Sequence, residues 1–278
     1  MEKITFDKKF FNIKDTLTCG QVFRFAEYEN GYLVFSWDKC CYLYETFDNT
    51  IIECNAEDKE YFINYFDLYT DYSSIYESAV NSEYLMLKKS AEMGKGIRIL
   101  NQNKTETVFS FIISQNNNIP RIKSIIEKLC VKFGKLCYFN DKPYYSFPTP
   151  NALAKATLEE LKETGLGYRA PFIKRLAESI IGGFDINGLS TLPAYALKAA
   201  LLNIYGIGEK VADCVMLFAY KKTDCFPVDT WMEKVYKEDF FGTLSNRKEM
   251  SKWFTETFGN NAGYFQQYMF HYKRNIEK

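Results

Sequence analysis

Apolar residues recur at two different spacings along this chain, and the change falls near residue 57. Between residues 20 and 55 the runs QVFRFAEY, GYLVFSWD, CCYLYET and NTIIECN are rich in aromatic and β-branched residues. Turn formers such as Glu29-Asn30-Gly31 and Asp48-Asn49 part them, which is the pattern of an antiparallel meander. In DKEYFINYFDLY and SEYLMLKKSAEM the spacing is helical, with apolar side chains returning every three or four positions. The pattern predicts an α+β protein: an N-terminal antiparallel β-sheet lobe with helices over 1–95, and a helical region over 96–278.

The helical region carries its own punctuation. TVFSFIISQ (107–115) is apolar enough for a buried helix, and IPRIKSIIEKLCVKFG (119–134) places Ile122, Ile125, Ile126 and Leu129 on one face before a terminal glycine. Asn116 to Asn118 form a polar break between the two. Residues 135–150 read as a loop rich in turn formers, and Thr157 to Glu160 as a capping box that opens the next helix. After the breaks in GLGYRAP (165–171) comes a helix over roughly 171–182. Residues 192–220 then hold two apolar helical segments joined by Tyr205-Gly-Ile-Gly208, a helix–hairpin–helix over about 193–220. DTWMEKVYKEDF, SNRKEMSKWFTETFG and GYFQQYMFHYKRN supply three final helices.

Composition narrows the function classes. A hydrophobic fraction of 47% supports a real core, while 35 basic and 35 acidic residues give a net charge of zero. Any contact with nucleic acid must therefore rest on local charge. The first thirty residues carry charges throughout, and no run of 18 apolar residues occurs, so the chain reads as soluble and intracellular with no membrane partner. Eight cysteines, without a CxxC pair, read as reduced, mostly buried thiols. None follows Cys225, so a C-terminal four-cysteine iron–sulfur loop is not expected.

The chemistry concentrates in YGIGEKVADC (205–214). Gly206 and Gly208 permit a tight turn and leave no Cβ in the way of a ligand. The N–H groups that open the next helix point outward with the positive end of its dipole behind them, which makes a seat for a phosphate. Taken alone, the two glycines also suit a plain joint between helices. Lys210 is then either a solvated surface charge or a nucleophile beside whatever the turn binds.

The stretch LLNIYGIGEKVADCVMLFAYKKTDCFPVDTWMEKVY (201–236) resembles the helix–hairpin–helix and Gly/Pro-Asp region of base-excision DNA glycosylases, specifically the 8-oxoguanine DNA glycosylase branch. The resemblance runs from about residue 15 to 275. It implies the mostly helical helix–hairpin–helix DNA glycosylase fold and a bifunctional enzyme that excises 8-oxoguanine from duplex DNA and nicks the strand. Lys210 matches the family's catalytic lysine, and Asp229 its essential aspartate. The carbonyls of Leu202, Ile204 and Ile207 match positions that can hold a monovalent or calcium ion; no organic cofactor is implied.

The chemistry fits that pair. Cleaving a base from deoxyribose creates cationic character at C1′, which a carboxylate stabilises while an amine attacks and forms a Schiff base. Lysine does this only when neutral, and a buried setting at a helix N-terminus favours that form. Asp229 also reads as the N-cap of the helix that follows it, and both readings can hold.

Further matches concern the bases. SQNNNIPRI (114–122) resembles the segment that enters the duplex, with Asn116 inserted near the vacated space and Arg121 directed at the opposite cytosine. LGYRA (166–170) resembles the wedge, with Tyr168 buckling the stack and Arg169 bonding the estranged cytosine. Both arginines also suit phosphate contacts or surface charge. In TCGQVFRF (18–25) the Gly20 carbonyl matches the acceptor of the N7 hydrogen that 8-oxoguanine has and guanine lacks, though a glycine here also suits a turn that opens a strand. In AGYFQQYMF (262–270), Gln266 and Phe270 match residues that read and stack on the base, and Cys214 covers its other face; Phe270 equally suits the core. Two departures stand out: Trp231 where the family often has histidine, and Pro120 before Arg121. A monomer acting in the cytoplasm at the nucleoid of a prokaryote is expected. The rivals are a monofunctional alkylated-base glycosylase, which lacks the lysine, and a non-catalytic helix–hairpin–helix DNA-binding protein.

Overall fold

A computed structural model describes residues 1–277. β1 (Glu2–Asp7) and the short α1 (Ile13–Thr18) precede the expected meander of β2 (Phe25–Tyr28), β3 (Gly31–Ser36), β4 (Lys39–Glu45) and β5 (Asn49–Cys54). The five strands form one sheet in the order β1-β5-β4-β3-β2. β1 pairs antiparallel with β5, Glu2 opposite Cys54 and Asp7 opposite Asn49, and β2 pairs with β3, Phe25 opposite Val34. No hydrophobic pattern marks an element before residue 20. β1 finds its partner far along the chain, so no hairpin turn announces it.

α2 (Lys59–Tyr65), α3 (Tyr72–Val80), α4 (Leu85–Met93), α5 (Lys104–Ile113) and α6 (Ile119–Phe133) follow. Asn118 caps α6 by accepting from the Arg121 N–H, and Pro120 sits in the first turn, where a missing N–H costs nothing. The departure at Pro120 is thus an ordinary helix start. Residues 135–150, expected as a loop, instead contain the hairpin of β6 (Leu136–Phe139) and β7 (Lys142–Tyr145). Its two-residue turn is Asn140-Asp141, with φ of 45° and 60°, the left-handed pair that suits a tight hairpin. Pro143 inside β7 masks the strand, because proline is confined to sheet edges.

The remaining elements are α7 (Pro150–Lys155), α8 (Leu158–Glu163), α9 (Ala170–Ile181), α10 (Ala194–Leu202), α11 (Glu209–Tyr220), α12 (Thr230–Glu238), α13 (Arg247–Phe258) and α14 (Ala262–Ile276). The capping box at Thr157 and Glu160 is present at α8. No helix among the described residues is long and apolar enough to cross a membrane. All eight cysteines stand as thiols, seven of them buried.

The chain forms two compact units, neither continuous in sequence. The first takes Met1–Val22, Leu43–Asn101 and everything from Met216 onward; the second takes Phe23–Tyr42 and Gln102–Val215. In the first unit, Phe226 and Phe254 stack with centroids 4.0 Å apart, and Tyr236, Phe240 and Trp253 meet Phe254 edge-on. Arg98 is buried there without a carboxylate bond among the described residues. Its guanidinium donates to the carbonyls of Phe66 (2.9 Å), Phe10 (3.0 Å), Thr70 (3.2 Å) and Asp67, which satisfies the buried donors. A Cβ on Gly263 would lie 2.4 Å from Leu217, so glycine there lets α14 pack close. In the second unit, Ile122, Ile125, Ile126 and Leu129 of α6 are buried as their spacing predicts. Arg24 and Glu106 form a buried ion pair at 3.2 Å, and Arg24 donates further to the carbonyls of Trp37 and Tyr145.

Candidate functional site

The hairpin belongs to the second unit. α10 ends at Leu202 and α11 begins at Glu209. Gly206 has φ +90°, and a Cβ there would lie 2.6 Å from the Phe172 ring, so glycine is required twice over. Gln115, just past α5, donates to the Gly206 carbonyl at 2.8 Å and ties the hairpin down. Gly208 is different: its φ is unexceptional and a Cβ would meet nothing within 4 Å. Neither backbone nor packing demands glycine at this position. Its bareness leaves open space beside the first N–H groups of α11.

The start of α11 is electrostatically arranged. Lys198 on α10 pairs with Glu209 at 3.0 Å and Asp213 at 2.8 Å. Burial opposes its charge, but the two carboxylates hold its pKa above the ordinary lysine value. Both acids are thereby engaged. Lys210, half-buried in the first turn of α11, has no ion-pair partner among the described residues, and its Nζ lies 5.5 Å from the centroid of Phe111. Cys214, one turn on, is buried. Of the three carbonyls expected to face an ion, that of Ile204 accepts from the Ile207 N–H at 3.0 Å, which leaves it a second lone pair.

A second cluster lies in the same unit. Asn116 stands in the left-handed region at φ +45°, and its Nδ2 donates to the Tyr168 hydroxyl at 3.4 Å. Arg169, only 3% exposed, donates from Nε to the Gln115 carbonyl at 2.9 Å and from Nη2 to the Asn116 carbonyl at 3.1 Å. The guanidinium therefore braces the Asn116 turn rather than projecting outward. Burial lowers its pKa; Tyr168 opposes the shift and the charge of Arg121 adds to it. Arg121 is exposed and without an ion pair among the described residues. Tyr168 is also exposed, at 53%. The structure brings these four residues together.

The other candidates lie in the first unit. Asp229 caps α12: its Oδ1 accepts from the N–H groups of Trp231 (2.9 Å) and Met232 (3.0 Å). The cap fixes the carboxylate's direction and leaves Oδ2 uncommitted among the described residues. Gly20 stands at φ +90°, and its neighbours are gripped from α14. Gln267 Nε2 donates to the Cys19 carbonyl at 2.9 Å, and Arg274 Nη2 to the Thr18 carbonyl at 2.6 Å. Gln21 braces the far side, donating to the carbonyls of Thr16 (2.9 Å) and Arg98 (2.7 Å) and accepting from the Leu100 N–H (2.9 Å). The Gly20 carbonyl itself has no donor among the described residues. Gln266 is buried with Oε1 unpartnered. Phe270, half-buried one turn further, lies 5.3 Å from the Arg274 guanidinium.

Three contributors escape the sequence reading. Gln115, whose side chain holds the hairpin and whose carbonyl receives Arg169, has no local signature. Gln267 sits beside Gln266 but faces another partner. Arg274 had an available signal, since 266, 270 and 274 repeat every four residues on one helix face.

Comparison with known proteins identifies the family. Residues 3–108 match the family described as 8-oxoguanine DNA glycosylase, N-terminal domain, and residues 109–258 match the HhH-GPD superfamily base excision DNA repair protein family. The N-glycosylase/DNA lyase of Saccharomyces cerevisiae is 30% identical over 268 residues, covering 86% of this chain and 70% of that protein. A probable N-glycosylase/DNA lyase of Methanothermobacter thermautotrophicus is 28% identical over 229 residues, 75% of this chain and 72% of that one. The fold is similar to the Clostridium acetobutylicum 8-oxoguanine glycosylase/lyase in complex with double-stranded DNA, with a TM-score of 0.92 and 35% identity over 97% of this chain and 94% of that one. With the glycine hairpin, its lysine and the capping aspartate all in place, the chain belongs to the HhH-GPD superfamily of base excision DNA repair proteins and carries the N-terminal domain of 8-oxoguanine DNA glycosylases.

Proposed function

We propose that this protein excises 8-oxoguanine from duplex DNA and then cuts the strand at the vacated sugar. The observation that carries the reading is Lys210: an amine in the first turn of α11, beside a hairpin left open at Gly208, with the nearby acids Glu209 and Asp213 both held by Lys198. A lysine kept for surface charge gains nothing from that arrangement, whereas a nucleophile does. The yeast and archaeal relatives are named as N-glycosylase/DNA lyases, and the clostridial complex contains cytosine opposite 8-oxoguanine. Both support the substrate and the double activity.

In the reaction, the nucleotide is rotated out of the stack while Asn116 and Tyr168 occupy the gap. The Lys210 amine attacks C1′, the glycosidic bond breaks with its electron pair leaving on the base, and the base takes up a proton. Asp229 stabilises the positive charge that develops at the sugar. Loss of the amine's second proton and opening of the ring give the Schiff base. Removal of a C2′ proton then expels the 3′ phosphate, and water hydrolyses the imine to free Lys210. The Gly20 carbonyl accepts the N7 hydrogen of 8-oxoguanine; guanine would place a lone pair against it. Arg121 reads the partner cytosine. Arg169 reaches it only by giving up bonds to Gln115 and Asn116, so its net contribution is the smaller. The carbonyls of Leu202, Ile204 and Ile207 would hold a monovalent or calcium ion, which would neutralise a DNA phosphate at the hairpin. Action at the nucleoid of a prokaryotic cell is part of the same proposal, and the archaeal and clostridial relatives support it.

The test is borohydride trapping on duplexes with 8-oxoguanine opposite each of the four bases, comparing wild type with Lys210→Gln. A covalent adduct confined to the wild type and strongest opposite cytosine is expected. Excision without any adduct would overturn the lysine mechanism, and equal adducts opposite all four bases would overturn the role of Arg121.

A further inference from the structure

On α14, one residue outside the matched recognition set connects two parts of the base wall. The Arg274 guanidinium donates to the Thr18 carbonyl at 2.6 Å, two residues before Gly20, and lies 5.3 Å from the centroid of Phe270. Its Nε and Nη1 are buried and have no partner among the described residues, and the same helix carries the Oε1 of Gln266, likewise unpartnered. Buried donors and acceptors are almost always satisfied. A wall with both kinds left over is completed by something that offers both, as the polar edge of a nucleotide does. Burial lowers the Arg274 pKa, and the Cys19 side chain and the Asp229 carboxylate oppose that shift.

We propose that Arg274 is a positioning residue for base recognition, acting through the Thr18–Gly20 segment and through Phe270. Gly20 has the most permissive backbone in its segment, yet discrimination through a single carbonyl requires that carbonyl to be held within about half an ångström. Gln267 holds Cys19 and Arg274 holds Thr18, so α14 sets where the next carbonyl points. A guanidinium suits the task because its plane can lie against a ring while its edge donates. Lysine offers the donor without the plane.

The proposal rests on the excision reading above, and its test separates the two. Single-turnover cutting is measured for wild type, Arg274→Leu and Arg274→Lys on three duplexes: 8-oxoguanine opposite cytosine, guanine opposite cytosine, and a preformed abasic site. The abasic duplex needs Lys210 but no base pocket. For Arg274→Leu, excision of 8-oxoguanine falls at least about tenfold and its preference over guanine narrows, while abasic cutting stays within about twofold. Arg274→Lys lies between, and shows the same selective loss should the leucine variant fail to fold. Unchanged excision, or an equal fall on the abasic duplex, would overturn the proposal. A wild type that cuts abasic sites but ignores 8-oxoguanine would instead sink the substrate reading.

Discussion

Six residues, Asn203 to Gly208, build the hairpin between α10 and α11, whereas the segment around Gly20 is gripped by side chains 248 and 256 positions away in the chain. The first is a site made of backbone. Its shape follows from the φ of one glycine and the bareness of another, and its field from a helix terminus. The second is a site made of side chains, each donor placed by tertiary packing on a distant carbonyl. A backbone site tolerates most substitutions and fails at a few glycines. A side-chain site fails wherever a donor is lost, but it can tell one base from another.

Asp229 is where that contrast can be broken most sharply, because one carboxylate serves as both cap and reactant. Asp229→Asn keeps a good capping residue and removes the charge, so excision is expected to fall by about 10²- to 10³-fold with little change in melting temperature. Asp229→Ala loses about 1 kcal/mol of stability as well. Excision surviving in the asparagine variant would reduce Asp229 to a structural cap. Thermal melts and single-turnover rates on the same preparations decide it.

The hairpin glycines sharpen the backbone side. Gly206→Ala meets both an unfavourable φ and the Phe172 ring at 2.6 Å, so it is expected to cost about 3 kcal/mol or more, read by chemical denaturation. Gly208→Ala meets nothing, so stability should hold to within about 0.5 kcal/mol while affinity for duplex DNA drops several-fold. Undiminished DNA affinity in the second variant would remove the phosphate seat from the account.

The smallest effects come from two neighbours on α14. Gln267→Leu strands the buried Cys19 carbonyl and is expected to cost about 1–3 kcal/mol. Gln266→Leu removes an oxygen that is already unpartnered, so stability should be unchanged or slightly higher while 8-oxoguanine excision weakens. Equal stability losses at both positions would erase the distinction between a residue that holds the wall and one that faces the base.

Much of this protein is legible along the chain. The helical spacing locates α6 and the three final helices, the glycines locate the hairpin, and Asp before TWMEKVY locates a cap that the structure confirms. These features depend on neighbours within a few residues, and backbone geometry responds to such neighbours directly. β1 and the β6–β7 hairpin are less visible. One pairs with a strand far along the sequence, and the other hides behind Pro143. Gln115 is invisible as a functional residue, and the spacing that puts Arg274 on the face of Gln266 and Phe270 does not name its partner, because nothing near either residue in sequence points to the carbonyls of Gly206 and Thr18.

By itself, then, the sequence determined the β2–β5 meander, most of the helices, the hairpin with its lysine, and the aspartate that opens α12, since each follows from local periodicity or local capping. Only the tertiary structure decided that Arg169 braces the Asn116 turn, that Lys198 occupies the acids flanking Lys210, and that α14 holds the segment presenting Gly20. A side chain's partner is set by which distant backbone packing brings within about 3 Å, and no spacing along the chain encodes that distance.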